Sequence, residues 1–215
     1  MRRIAFPIAL LMILAGTAVR LAAKPLAPPR ESEIDHLVRI IELHEGSSVA
    51  DVGAGSGEVS FALAGQVGPG GKVYATEINQ QLLDTIRNAA RRAKTPNIEV
   101  VKATQHNTGL PHGCCDAIFL RDVYHHLTDP MSVDRSLYEA LRPGGRLAVI
   151  DFEPVPKWPA PPGVPANRRW HGVPASIVSK ELMACGFTRL EMIDWPTSGT
   201  IKHYCVVFKK PPANY

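Results

Sequence analysis

One short strand and the glycine loop after it decide the fold; they occupy Val49-Ala50-Asp51-Val52-Gly53-Ala54-Gly55-Ser56-Gly57. Glycine stands at every second position of the loop, which permits positive φ angles and lets a ligand approach the backbone closely. A helix is predicted directly after the loop, over 58–67, and its N-terminus offers free N–H groups. The pattern therefore predicts a ligand site where this strand ends.

Working outward from the loop, the chain alternates predicted strands with predicted helices. Strands are predicted over 48–52, 72–77, 98–102, 115–120, 146–150, 189–193 and 203–208. Helices are predicted over 31–45 (ended by Gly46), 58–67, 79–93, from Asp129 to the turn at 141–145, and over 174–184. This alternation predicts an α/β fold with a mostly parallel sheet covered by helices on both faces. Six prolines between 154 and 165 predict a long loop or lid without regular structure.

The N-terminal 30 residues differ in composition from the rest of the chain. Arg2 and Arg3 precede sixteen uncharged residues, from Ile4 to Val19. This is the form of a secretory signal, and as a helix it would reach only about 24 Å against a hydrocarbon layer of ~30 Å. We therefore interpret residues 1–23 as a signal peptide or membrane anchor, 24–30 as a proline-rich linker and 31–215 as one domain.

The leader also decides where we expect the protein to act. A signal predicts a periplasmic or secreted protein. The alternative is membrane association through residues 4–19 with the domain facing the cytoplasm, and basic residues on both sides of the apolar run leave the orientation nearly tied.

The charge of the chain belongs to this leader. The formal net charge is +4, and five of the 24 basic residues but no acid lie in residues 1–30, so the rest of the chain holds 19 basic and 20 acidic residues. Such a balance argues against nucleic acid as a partner. The four cysteines (Cys114, Cys115, Cys185 and Cys205) match no zinc motif and are too few for a disulfide scaffold; their redox state is open.

Acidic residues around the glycine loop indicate the charge of the ligand. Glu58 stands where a dinucleotide fingerprint has glycine or alanine, and a carboxylate there is a poor neighbour for pyrophosphate. Asp51 at the end of the strand suits a cationic ligand. Glu77 ends the second predicted strand, where a carboxylate can accept hydrogen bonds from both hydroxyls of a ribose. The site is predicted to bind an adenosine-like nucleoside with a positive tail and no phosphates.

Four stretches in order resemble the class I S-adenosylmethionine-dependent methyltransferases. They are the loop at 49–57, Tyr74-Ala75-Thr76-Glu77, the fourth-strand segment 116–127, and the turn Leu141-Arg142-Pro143-Gly144-Gly145 before the fifth strand. The resemblance implies a Rossmann-like seven-stranded sheet in the order 3-2-1-4-5-7-6, with strand 7 antiparallel. Nucleic-acid amino-methyltransferases carry an Asn or Asp with two prolines and an aromatic after strand 4; Arg121-Asp122-Val123-Tyr124 stands there instead.

The same resemblance implies S-adenosyl-L-methionine as the cofactor and assigns its contacts. Gly53, Gly55 and Gly57 would pass under the methionine part, and Ala54 of the same loop is also expected to bind the cofactor. Asp51 would lie near the amino group, Glu77 would hold the ribose, and Ile78 would pack on the adenine. Thr104 and Gln105 would meet the adenine amine, and Arg121 would touch the cofactor through its backbone. Threonine at 104 replaces the acid that the family usually has.

Methyl transfer from a sulfonium is an in-line displacement, and a base is needed only if the acceptor must lose a proton. The catalytic residues are therefore unknown, with His125, His171 and Tyr124 as candidates beside His126. The alternative is that His125 and His126 only cap the end of strand 4. No histidine pair at a ligand spacing appears, so no metal site is predicted.

The function predicted is a methyltransferase that uses S-adenosylmethionine and acts on a small-molecule or lipid-like acceptor. Two alternatives stay open. The first is a non-catalytic module that binds S-adenosylmethionine or S-adenosylhomocysteine, and the second is an NAD-dependent oxidoreductase.

Overall fold

The computed structural model describes residues 31–197 and 199–212. The predicted leader and linker lie outside the described residues. Within the described part, no helix combines the length and the apolar composition needed to cross a membrane.

Seven strands form one mixed sheet: β1 (Ser48–Val52), β2 (Lys72–Glu77), β3 (Ile98–Lys102), β4 (Cys115–Arg121), β5 (Leu141–Phe152), β8 (Thr188–Trp195) and β9 (His203–Lys209). The order is β3-β2-β1-β4-β5-β9-β8, and β9 runs antiparallel to both of its neighbours. Since β8 and β9 are the sixth and seventh strands of this sheet, the predicted order and the antiparallel last strand are confirmed.

The described residues form five α-helices: α1 (Glu31–Ile40) precedes β1, and α2 (Glu58–Val67), α3 (Gln80–Ala93), α4 (Pro130–Ala140) and α5 (Ala175–Ala184) lie between strands. A short 3-10 helix, Tyr124–His126, follows β4. Side chains at the α3 and α4 starts cap the helices: Asn79 accepts hydrogen bonds from two backbone N–H groups of α3, and Asp129 accepts one from Ser132. These predicted starts are therefore confirmed.

Alternate residues of the central strands enter two separate hydrophobic cores. Ala117 and Phe119 of β4 pack in the core under α1 and α2, whereas Ile118 and Leu120 pack in the core under α4 and α5. All four side chains are at most 1% exposed. A strand buried on both faces is what a parallel sheet between two helical layers requires.

The first helix is shorter than predicted. It ends at Ile40 rather than reaching Glu45, and the chain turns at Glu42, whose φ is 53°. The N–H of Leu43 donates to the carbonyl of Val38 at 2.9 Å, which closes the helix end. The apolar residue at 43 continued the helical spacing in the sequence although the backbone had already left the helix.

Two further boundaries differ from the prediction. β5 already begins at Leu141, and the predicted turn at 141–145 appears as a register shift against β4, between the pairs Cys115–Leu141 and Ala117–Arg146.

The proline-rich segment is also not wholly irregular, because β6 (Val155–Pro159) pairs with β7 (Trp170–His171) in a separate two-stranded sheet. Both strands are edges, where proline, which lacks an N–H, is tolerated.

Candidate functional site

A cavity of about 550 Å³ opens at the carboxyl ends of the parallel strands. This is the edge where open α/β sheets bind ligands, and the volume lies in the range of small-molecule sites. Its wall is formed by Val52, Gly53, Thr76, Glu77, Ile78, Ala103, Thr104, Gln105, Asn107, Thr108, Asp122, Val123, His126, Leu127, Thr128, Val133, Pro161 and Pro162.

Glu77 is the most constrained polar residue of this wall. Its side chain ends β2, and the residue is 8% exposed. One carboxylate oxygen, Oε1, accepts hydrogen bonds from the backbone N–H groups of Ile78 at 2.7 Å and Asn79 at 2.9 Å. The other, Oε2, accepts one from the N–H of Gly55 at 3.1 Å. The carboxylate thus joins the end of β2 to the glycine loop and still has lone pairs free for a ligand.

The glycine loop has the backbone that its sequence predicts. Gly53, Gly55 and Gly57 have φ angles of 77°, 55° and 87°. A Cβ added to Gly53 would lie 2.5 Å from Cγ2 of Val123, so this position has neither the torsion nor the room for a side chain. A Cβ at Gly55 would meet nothing within 4 Å, which leaves the loop open to a ligand at that point.

Asp51 lies beneath the loop rather than on the cavity wall. It is 4% exposed, and its Oδ2 accepts a hydrogen bond from the Ser60 hydroxyl at 2.6 Å. Burial raises the pKa of Asp51 to about 6, against the lowering effects of Ser60 and the Arg121 guanidinium. A desolvated carboxylate with a raised pKa favours a cation close by.

The charge of the wall is negative. Among the described residues that form it, the two carboxylates are Glu77 and Asp122, and there is no Lys or Arg. Partial desolvation, followed by the neighbouring His125 and His171, lowers the pKa of His126, so this imidazole is neutral at pH 7. Such a wall suits a cationic ligand and offers a pyrophosphate no ion-pair partner.

The structure brings together part of the predicted cofactor site. Gly53, Glu77, Ile78, Thr104 and Gln105 all line the cavity. Ile78 is an apolar side chain that is 55% exposed, as a platform for a flat ring would be.

Besides Asp51, four predicted residues do not line this cavity: Ala54, Gly55, Gly57 and Arg121. Ala54 donates its N–H to Thr76, and Gly57 is the N-cap of α2. The Nε atom of Arg121 pairs with Oε1 of Glu33 at 3.0 Å, and Arg121 lines a neighbouring cavity of about 320 Å³. Asp122 lines both cavities.

The candidate catalytic residues have different surroundings. Tyr124 is completely buried, and its hydroxyl lies 2.9 Å from Oδ2 of Asp134 and 3.0 Å from Oε2 of Glu181. Burial and these carboxylates raise the pKa of Tyr124 well above its usual value, so its phenol stays protonated.

The three histidines, by contrast, lie together. The ring centroids of His125, His126 and His171 are separated by 4.1, 4.8 and 5.5 Å, and His126 lines the cavity. The structure thus joins His171 of β7 to the pair after β4, which the sequence could not show.

Sequence reasoning missed an ion pair at this edge. Oδ1 of Asp122 lies 2.8 Å from Nε2 of His203, and this contact raises the pKa of His203. Asp122 has a φ of 57°, a left-handed conformation that Asp tolerates better than most residues. A polar residue directly after a buried strand was the available signal, but its partner on β9 is 81 positions away.

Comparisons with known proteins agree with this geometry. Residues 50–149 match the family model described as a methyltransferase domain. The chain is 27% identical over 123 residues to a demethylmenaquinone methyltransferase of Listeria welshimeri, covering 56% of this chain and 52% of that protein. It is 33% identical over 108 residues to the ubiquinone/menaquinone biosynthesis C-methyltransferase UbiE of Hahella chejuensis, covering 50% and 43%. The chain spans about half the length of the curated relatives it matches.

Among solved structures, the chain resembles a SAM dependent methyltransferase from Aquifex aeolicus. The TM-score is 0.68 at 24% identity, and the match covers 83% of this chain and 89% of that one. At this identity the likeness shows the fold.

Proposed function

We propose that this chain, which belongs to the class I S-adenosylmethionine-dependent methyltransferase family, transfers a methyl group from S-adenosylmethionine to a small, lipid-like acceptor. The observation that carries the proposal is the position of Glu77. Its carboxylate stands at the end of β2, on the wall of the cavity, and is tied to the glycine loop.

The residues present fit the cofactor that this family uses. Glu77 would accept hydrogen bonds from the ribose hydroxyls, and exposed Ile78 would pack against the adenine. The positive sulfonium and ammonium groups suit a site that has Asp51 beneath the loop and Asp122 on the wall. The alternative of a nicotinamide dinucleotide is less favoured, because the residues known to line the cavity include no Lys or Arg to form an ion pair with its phosphates and include the carboxylates of Glu77 and Asp122.

The bound cofactor supplies an electrophilic methyl group, and this chain's residues align it and keep out water. A fixed loop and a walled cavity can provide most of the acceleration that a displacement needs, because alignment replaces a bimolecular encounter. His126 is the imidazole on the wall, and it is neutral at pH 7. It faces the space in which an acceptor would bind.

The acceptor half of the proposal rests on the apolar side of the same cavity. Leu127, Val133, Pro161 and Pro162 contribute apolar surface to the wall. These surfaces favour an apolar molecule. The curated relatives are named for demethylmenaquinone and for ubiquinone and menaquinone biosynthesis, so a demethylated quinol is the first acceptor to test.

The test uses the full chain with methyl-labelled S-adenosylmethionine. Label should enter a demethylated quinol or a component of a total lipid extract, and the Glu77→Gln variant should lose this transfer while Glu99→Gln keeps it. Calorimetry with S-adenosylmethionine, S-adenosylhomocysteine and NAD is run in parallel. Binding of NAD but of neither S-adenosyl compound would refute the assignment of the cavity to S-adenosylmethionine. Binding of S-adenosylmethionine with no transfer of label to any component of a lipid or aqueous extract would favour a non-catalytic module.

We also infer from the composition of residues 1–30 that the domain is exported or held at a membrane. Protease treatment of cells stripped of their outer envelope, together with an assay of the medium, separates the two possibilities. Digestion or release into the medium would place the domain outside the cell membrane, and protection would place it in the cytoplasm.

A further inference from the structure

We propose that His125, His126 and His171 form a three-histidine binding site for a divalent transition-metal ion of the zinc type. One ring nitrogen from each residue lies within 4.8 Å of the other two. Three imidazoles with an open fourth position are a ligand set that proteins use for zinc. The cluster lies at the edge of the cavity, so an ion held there would face the space where an acceptor binds.

The strongest support is the way in which His125 is held. The residue is 2% exposed, and its Nδ1 lies 2.8 Å from Oδ1 of Asp151, a carboxylate that is completely buried. Asp151 also accepts hydrogen bonds from the backbone N–H groups of His125 and Phe152, at 3.1 and 2.9 Å. A carboxylate that holds one ring nitrogen of a histidine and directs the other outward is the usual support of a metal ligand.

His171 is oriented in a comparable way from the opposite side. Its Nδ1 lies 3.3 Å from the carbonyl oxygen of Pro159, which leaves Nε2 for a ligand bond. Its ring stacks on Trp158 with centroids 3.9 Å apart and an interplanar angle of 4°. Both contacts come from β6, so the small two-stranded sheet presents this imidazole to the cluster.

The backbone holds β7 against the main sheet. A Cβ on Gly172 would lie 2.8 Å from the carbonyl oxygen of Phe152, and the N–H of Val173 donates to that same oxygen at 3.0 Å. The close approach therefore requires glycine beside His171. It brings the end of β7 to Phe152, the residue next to Asp151.

Binding an ion would require the three ring nitrogens to move closer together by a small distance. Tetrahedral zinc with Zn–N bonds of about 2.0–2.1 Å places ligand nitrogens about 3.3 Å apart, so the nitrogens now within 4.8 Å would close by about 1.5 Å. Imidazoles around such an ion have centroids about 5 Å apart, and the observed separations of 4.1 to 5.5 Å surround that value. A movement of this size lies within the range of side-chain rotation.

The experiment titrates Zn²⁺ into metal-free full-length protein that carries no histidine tag, with no cofactor or acceptor present. We expect one ion per chain by calorimetry, a rise in the melting temperature, and nitrogen ligands at about 2.0–2.1 Å by X-ray absorption. His126→Ala and His171→Ala should each weaken binding at least tenfold. Asp151→Asn should weaken it by about 10- to 100-fold while leaving the three ligands in place.

The matched control is His112→Ala, which removes a histidine that is 81% exposed and lies outside the cluster. Its zinc affinity should equal that of the unmodified chain, and circular dichroism confirms that each variant is folded. Zinc binding that does not saturate at one ion, or that survives both His126→Ala and His171→Ala, would overturn the proposal. Because the readout is binding alone, this failure is distinct from a failure of methyl transfer.

Discussion

Replacing Glu77 by glutamine perturbs the proposed cofactor site most directly, because it preserves the shape of the side chain and removes its charge. The carboxylate accepts three backbone N–H bonds, two at Oε1 and one at Oε2. A glutamine has only one oxygen. If that oxygen keeps the bonds from Ile78 and Asn79, the amide NH₂ must face the N–H of Gly55, donor against donor.

The expected loss follows from this count. One charge-assisted hydrogen bond disappears and one buried donor is left unpaired, which together destabilise the fold by about 2–4 kcal/mol. The ribose hydroxyls also lose an ionised acceptor. We therefore expect S-adenosylmethionine to bind about 10- to 100-fold more weakly, which corresponds to about 1.4–2.7 kcal/mol.

Urea unfolding measures the loss of folding stability, and calorimetry measures the loss of affinity for S-adenosylmethionine. The matched control is Glu99→Gln on the adjacent strand, where the carboxylate is 48% exposed and pairs with Lys72 at 3.1 Å. Exposed pairs contribute about 0–1 kcal/mol, so the control should lose little stability and no cofactor affinity. Equal effects of the two substitutions, or unchanged affinity in Glu77→Gln, would refute the assignment of Glu77.

Two further predictions concern the loop and the carboxylate beneath it. Gly53→Ala combines a positive φ with a contact at 2.5 Å to Val123, so it should lower the free energy of unfolding in urea by about 2–5 kcal/mol. Gly55→Ala has a positive φ but meets no neighbour, so it should lower that free energy by only about 1–2 kcal/mol. Equal losses in the two variants would contradict the close approach of Gly53 to Val123. The pKa of Asp51 is raised to about 6 in the folded state, so the folded protein holds this proton more tightly, and the residue's contribution to stability is lost as the pH rises from about 4 to about 6. The stability of Asp51→Asn relative to the unmodified chain should therefore rise across that window by up to about 3 kcal/mol, and a flat difference would contradict the raised pKa.

The elements of the main sheet could be predicted from the sequence because the signals for them depend on residues that are close together in the chain. The loop at 53–57 needs glycine for reasons of backbone torsion, and β4 is apolar on both sides because both of its faces are buried. Helix starts such as Asn79 also depend only on nearby N–H groups. The end of α1 and the start of β5 were less accessible, since an apolar residue at 43 and a register shift against β4 are decided by tertiary packing.

The site was only partly readable for the same reason. Glu77 could be placed because strand ends carry ligand contacts in this kind of sheet. The pairing of Asp122 with His203, and the meeting of His125 with His171, join residues that are 81 and 46 positions apart. No periodicity in the chain encodes such distances. β6 was not predicted because its prolines indicated an irregular loop, whereas an edge strand tolerates residues that lack an N–H group.

The hydrogen bond from Gly55 to Glu77 has a consequence for how a ligand enters. The carboxylate that would receive the ribose also fixes the backbone of the loop at Gly55, and a loop held in this way has little chain entropy to lose on association. Such preorganisation favours rapid and reversible exchange, since binding need not wait for a loop to order itself. Under the proposed function this would favour turnover, because the spent cofactor has to leave the site in every cycle.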